Sequence, residues 1–95
     1  MVPVEDVYKQ IVSFAQARGV RRVILFGSRA RGDALPKSDI DIAVEGCKDF
    51  FGFEEDVQER LWSLFGVDVV NLDEGVSPAL YADIQRDGKV LYEKV

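Results

Sequence analysis

Residues 23–44 read VILFGSRARGDALPKSDIDIAV, and three changes of character inside that stretch decide the fold. Val23, Ile24, Leu25 and Phe26 form a short β-branched and aromatic run that stops at Gly27, so the segment Arg21 to Phe26 is expected to be a buried central strand. Gly27 to Lys37 is then rich in Gly, Ser, Arg and Pro, the composition of a turn that opens a short helical segment. A strand resumes at Ser38, where Ile40, Ile42 and Val44 alternate with Asp39, Asp41 and Glu45. Successive side chains on a strand point to opposite faces, so one face is apolar and the other acidic.

Outward from this centre, Val4, Val7, Ile11, Phe14 and Ala15 recur at helical spacing and Gly19 supplies a stop, which predicts a helix over Val4 to Ala17. Phe53, Val57, Leu61, Leu64 and Phe65 predict a second helix over Phe50 to Phe65, closed by Gly66. A third strand is expected at Val67 to Leu72. Ser77 and Pro78 have the chemistry of an N-cap and first helical residue, Leu80, Tyr81 and Ile84 give a short apolar face, and Gly88 closes that helix. Lys89 to Glu93 is a last, edge strand. The pattern is one α/β domain over residues 1–95, with a mixed sheet of about four strands flanked by helices.

Composition narrows the chemistry. A 95-residue chain that is 47% hydrophobic and 31% charged suits a single domain, and one this small buries only about 60–65% of its unfolded surface, so a partner would help it. The net charge of −5 argues against clamping extended nucleic acid, which requires many cationic contacts. Histidine is absent and Cys47 is the one cysteine. That removes Ser-His and Cys-His nucleophilic machinery, His-based zinc sites and any internal disulfide, and leaves Cys47 as a small, partly buried residue. The start, MVPVEDVYKQ, is polar and acidic, and no apolar run approaches the ~20 residues of a membrane span. The expected location is the cytoplasm.

The residues able to carry chemistry are acids. Asp39 and Asp41, two apart on a strand, present carboxylates about 6–7 Å apart on one face. A divalent cation between them relieves their repulsion, and hard oxygen ligands favour Mg²⁺ or Mn²⁺; standing alone, the pair also fits the solvated face of an edge strand. Just upstream is Gly27-Ser28-Arg29-Ala30-Arg31-Gly32. Glycine permits close backbone approach, amides at a helix start favour phosphate, Ser28 adds a hydroxyl, and either arginine can pair with phosphate oxygens. By itself this stretch also fits an ordinary turn with exposed arginines. Asp68, among Val67, Val69 and Val70, is a third acid that a metal would partner, or else a surface residue at a strand end. Three carboxylates around one or two Mg²⁺ ions fit phosphoryl or nucleotidyl transfer.

Gly27-Ser28, a ten-residue spacer, Asp39-Ile40-Asp41 and a later Asp68 together resemble the DNA polymerase β-like nucleotidyltransferase superfamily. More closely, GSRARGDALPKSDIDIAVEG and the ending DGKVLYEKV are similar to the MNT-type antitoxins of HEPN/MNT toxin–antitoxin pairs. The resemblance implies a nucleotidyltransferase-like fold and an Mg²⁺-dependent enzyme that transfers AMP from ATP to a tyrosine of its cognate HEPN ribonuclease toxin. By position, Asp39 and Asp41 would bind the metals, and Asp68 would complete the site and help activate the acceptor hydroxyl. Gly27 and Ser28 would hold the β and γ phosphates, with Arg29 favoured over Arg31 as the phosphate-facing arginine. Two other readings stand beside it. One is a catalytic subunit that nucleotidylates a small molecule or an RNA end, with RNA disfavoured by the acidic charge. The other is a non-catalytic antitoxin that blocks its partner sterically, disfavoured by the presence of all three acids and Gly27-Ser28. Phe50, Phe51, Trp62 and Tyr81 are candidates for a partner surface, although general burial tendencies assign them to the core.

Overall fold

The computed structural model describes residues 3–63 and 65–94. Helix α1 (Val4–Ala17) leads into strand β1 (Arg22–Phe26), the one-turn helix α2 (Ser28–Arg31), β2 (Ile40–Glu45), α3 (Phe50–Glu59), β3 (Val67–Asn71), a 3₁₀ turn over Leu72–Glu74, α4 (Pro78–Asp87) and β4 (Lys89–Glu93). The sheet order is β3-β2-β1-β4. β1 pairs antiparallel with both β2 and β4, whereas β2 and β3 are parallel. A parallel pair needs a crossover, and α3 supplies it.

The apolar alternation read from the sequence divides the sheet into two faces. Val23, Leu25, Ile40, Ile42, Val44 and Val67 pack with Val7, Ile11 and Ala15 of α1 and with Phe53 and Val57 of α3. Ile24, Phe26 and Ala43 face the other way, beneath Ile84 of α4. β1 is interior and β4 an edge, as the sequence predicts. β2 lies between β3 and β1, so Asp41 belongs to an interior strand and not to a solvated edge.

Three expectations are corrected. The second helix ends at Glu59, not Phe65: the chain turns at Arg60, and the Gln10 side chain takes over the backbone of Trp62, accepting from its N–H at 2.8 Å and donating to its carbonyl at 3.2 Å. These long-range bonds replace helical ones, and Leu64, counted in the periodicity, lies outside the described residues. Phe51, Trp62 and Tyr81 are exposed and not in the core, at 78%, 76% and 51%: α3 and α4 turn Phe53, Val57 and Ile84 inward, and Trp62 lies in the irregular segment after α3; Phe50 is half-buried. Asp39 falls just before β2 instead of within it. Among the described residues no helix is long and apolar enough to cross a membrane.

Candidate active site

The site begins where β1 runs out. Gly27 has φ 75° and ψ −158°, a conformation open almost only to glycine, and it turns the chain directly into α2. Its carbonyl accepts from the amides of Ala30 and Arg31 at 3.1 and 3.0 Å, which closes the single helical turn. A side chain at Gly27 would overlap the carboxylate of Asp41. The glycine therefore lets the Gly27-Ser28 backbone lie directly against an acid.

Sheet register places Phe26, Asp41 and Asp68 in one row across three strands. Asp41 and Asp68 lie on the face that carries Ala43 and Val70, which Ile84 of α4 covers. Asp41 is half-buried, while Asp68 and Asp39 are exposed. Burial, first, pushes the Asp41 carboxyl above its usual range; the charge of Asp68, a hydrogen bond shared with it, and the charge of Asp39 push the same way, and Arg31 offsets them only in part. The Asp39 carboxylate lies beside Gly66, where an added Cβ would stand 2.7 Å from its Oδ1.

The two arginines of the Gly-Ser segment go different ways. Arg29 donates to the Ser38 carbonyl from Nε at 3.2 Å and Nη2 at 2.9 Å, and to the Pro36 carbonyl at 3.1 Å. Its guanidinium stacks 4.7 Å from the centre of the Phe65 ring. The expected phosphate-facing arginine is thus turned onto the loop that leads to Asp39. Arg31 is held by Asp33 at 3.2 Å and by Asp87 of α4 at 3.6 Å, and its charge reaches Asp41. The sequence reads Phe65 and Gly66 as the end and stop of the second helix and does not single out Asp87; nothing in the motif spacing signals their place at the site.

Among the described residues no three acidic or thiol side chains are already gathered tightly enough to cage a metal. What the site offers is a half-buried carboxylate, Asp41, opposite Asp68 across the strand pair, with Asp39 two residues before it and the charge of Arg31 as a partial offset. That donor set fits Mg²⁺, which is commonly held by one or two carboxylates and completed by water and substrate phosphates.

Comparisons with known proteins place the chain in a family. The family model described as polymerase beta, nucleotidyltransferase, matches residues 9–95. A Methanocaldococcus jannaschii protein whose name assigns it as a protein adenylyltransferase is 33% identical, over 77% of this chain and 79% of its own. The crystal structure of a toxin–antitoxin with AMP-PNP superposes with a TM-score of 0.73 at 28% identity, covering 92% of this chain and 73% of that one. A mutant of the toxin–antitoxin pair MntA–HepT superposes at 0.72 with 26% identity and the same coverage.

Proposed function

Because the chain belongs to the polymerase beta nucleotidyltransferase family and is an enzyme of that class, we propose that it transfers AMP from Mg-ATP to a tyrosine hydroxyl of a cognate HEPN-type ribonuclease toxin, and thereby serves as its antitoxin in the cytoplasm. The observation that carries this reading is the contact of the Gly27 backbone with Asp41, directly opposite Asp68. The proximity of the Gly27-Ser28 turn to two acids supports a site where the turn would meet phosphate and the acids a metal. The protein-hydroxyl acceptor is supported by the name of the archaeal relative and by the toxin–antitoxin neighbours, one of them bound to an ATP analogue.

Mg²⁺ held by Asp39, Asp41 and Asp68 would neutralise the triphosphate and favour the ionised acceptor hydroxyl. Gly27 and Ser28 hold the β and γ phosphates through backbone amides and the Ser28 hydroxyl. The acceptor oxygen attacks the α phosphorus as its proton passes to Asp68, the bond to the β-phosphate oxygen breaks, and pyrophosphate leaves. Most of the catalysis is placement and charge, with residues 1–95 supplying one domain for both. Extended nucleic acid is not a partner in this scheme.

The test is an incubation of the purified chain with Mg²⁺, ATP and the HEPN-type partner, reading the intact mass of both proteins beside an Asp39→Asn control. A gain of one or more AMP masses on the partner, absent from the control, is expected. A tight complex with no mass gain would replace adenylyl transfer by steric blocking.

A further inference from the structure

Among the described residues Arg29 makes no ion pair; its guanidinium is spent on two backbone carbonyls, Pro36 and Ser38, and on the face of Phe65. Those carbonyls belong to a turn that closes on itself. The Leu35 amide donates to Ser38 Oγ at 2.8 Å and the Ser38 amide to the Leu35 carbonyl at 3.0 Å. The next residue is Asp39. On its far side the Ile40 amide donates to the Gly66 carbonyl at 2.8 Å, and the absent side chain of Gly66 leaves the space beside the Asp39 carboxylate. The backbone of Asp39 is therefore gripped before and after, and both grips are anchored on the dipeptide Phe65-Gly66.

We propose that Arg29 is a positioning residue which, through the Ser38 carbonyl and the Phe65 ring, fixes Asp39 for metal binding, and that it does not contact the nucleotide phosphates. The inference rests on the metal role given to Asp39 in the proposed function. Its physical basis is the shape of the guanidinium, a planar fork that spans two carbonyls while stacking on a ring. Lysine keeps the charge but can do neither fully, so a charge role and a positioning role separate at Arg29→Lys.

The experiment titrates the isolated chain with Mn²⁺ alone, following free Mn²⁺ by electron paramagnetic resonance, for wild type, Arg29→Lys and Phe65→Leu, with melting curves to establish that each is folded. Groups that orient metal ligands typically change metal affinity by 10–100-fold when altered, so both variants are expected to weaken Mn²⁺ binding about tenfold or more. The KM for ATP at saturating metal should stay within about twofold. Phe65→Leu is the decisive variant, since Phe65 has no group able to hold phosphate. Mn²⁺ affinity within twofold of wild type in either variant would overturn the inference, as would a rise in the ATP KM for Arg29→Lys alone. No Mn²⁺ binding by the wild-type chain would overturn the metal reading of the site and this inference with it.

Discussion

Gly27 and Asp41 lie so close that a side chain on the first would overlap the carboxylate of the second. The dihedral angles of Gly27 also fall where only glycine is comfortable. Gly27→Ala is therefore expected to push the Gly-Ser turn away from the acids. Backbone strain should cost on the order of 1–3 kcal/mol, and a displacement of about 1 Å at a reacting centre is worth roughly 100-fold in rate. Urea midpoints and the rate of AMP transfer by mass spectrometry measure the two effects separately.

Asp41 pays for its position in stability, and the sign is testable. Its folded-state carboxyl sits above the ordinary value because of burial and the charges of Asp68 and Asp39. The favourable contribution is thus present while the group is protonated, below the unfolded value near 4, and is lost as pH rises through the raised folded value. With solvent screening the penalty at neutral pH is about 0.5 kcal/mol. Asp41→Asn should raise the melting temperature by about 2–4 °C at pH 7 in the absence of divalent ions, with the gain vanishing as the pH falls to about 4. Added Mg²⁺ should raise the melting temperature of the wild type and leave that of the variant unchanged.

Where local chemistry governs, the fold was legible. The helix Val4–Ala17 follows from apolar spacing and a glycine stop, and the start of α4 follows from Ser77 and Pro78. Where a distant partner governs, it was not. Leu61 and Phe65 keep helical spacing, yet the chain leaves the helix because Gln10, 52 residues from Trp62, binds that segment's backbone. The candidate site divides in the same way. A period of two relates Asp39 to Asp41, but the contact of Asp41 with Asp68 depends on the parallel register of β2 and β3. The sequence favours Arg29 over Arg31 as the phosphate-facing arginine, whereas the carbonyls of Pro36 and Ser38 and the ring of Phe65 turn Arg29 onto the loop.

Ser77 Oγ accepts from the Leu80 amide at 3.2 Å, and α4 has a single fully buried residue, Ile84, holding it to the sheet. With so little packing, the cap is a large part of what keeps α4 in place. Ser77→Ala should cost about 1 kcal/mol, equivalent to about 4–8 °C in melting temperature for a chain of this size. Ser77→Thr should restore most of that loss in the same melting experiment.

The Arg18 guanidinium ties the end of α1 to α3, donating to Asp56 at 2.9 and 3.3 Å and to Asp49 at 2.8 Å. Asp56 is the one buried charged side chain among the described residues, and the hydrogen bond from Arg18 holds its carboxyl below the usual range. A depressed carboxylate contributes stability that is present above its unfolded value and is lost as pH falls through the folded one. Arg18→Ala leaves the buried Asp56 carboxylate with only the exposed Arg60, 3.7 Å away, as its counter-charge, so the urea midpoint of the variant is expected to fall below that of the wild type at pH 7. As the pH falls from about 4 through the lowered folded value, Asp56 becomes protonated in the wild type as well and the two urea midpoints should converge. A difference that stayed constant into acid would mean that Arg18 acts through the packing of its aliphatic stem and not through its charge.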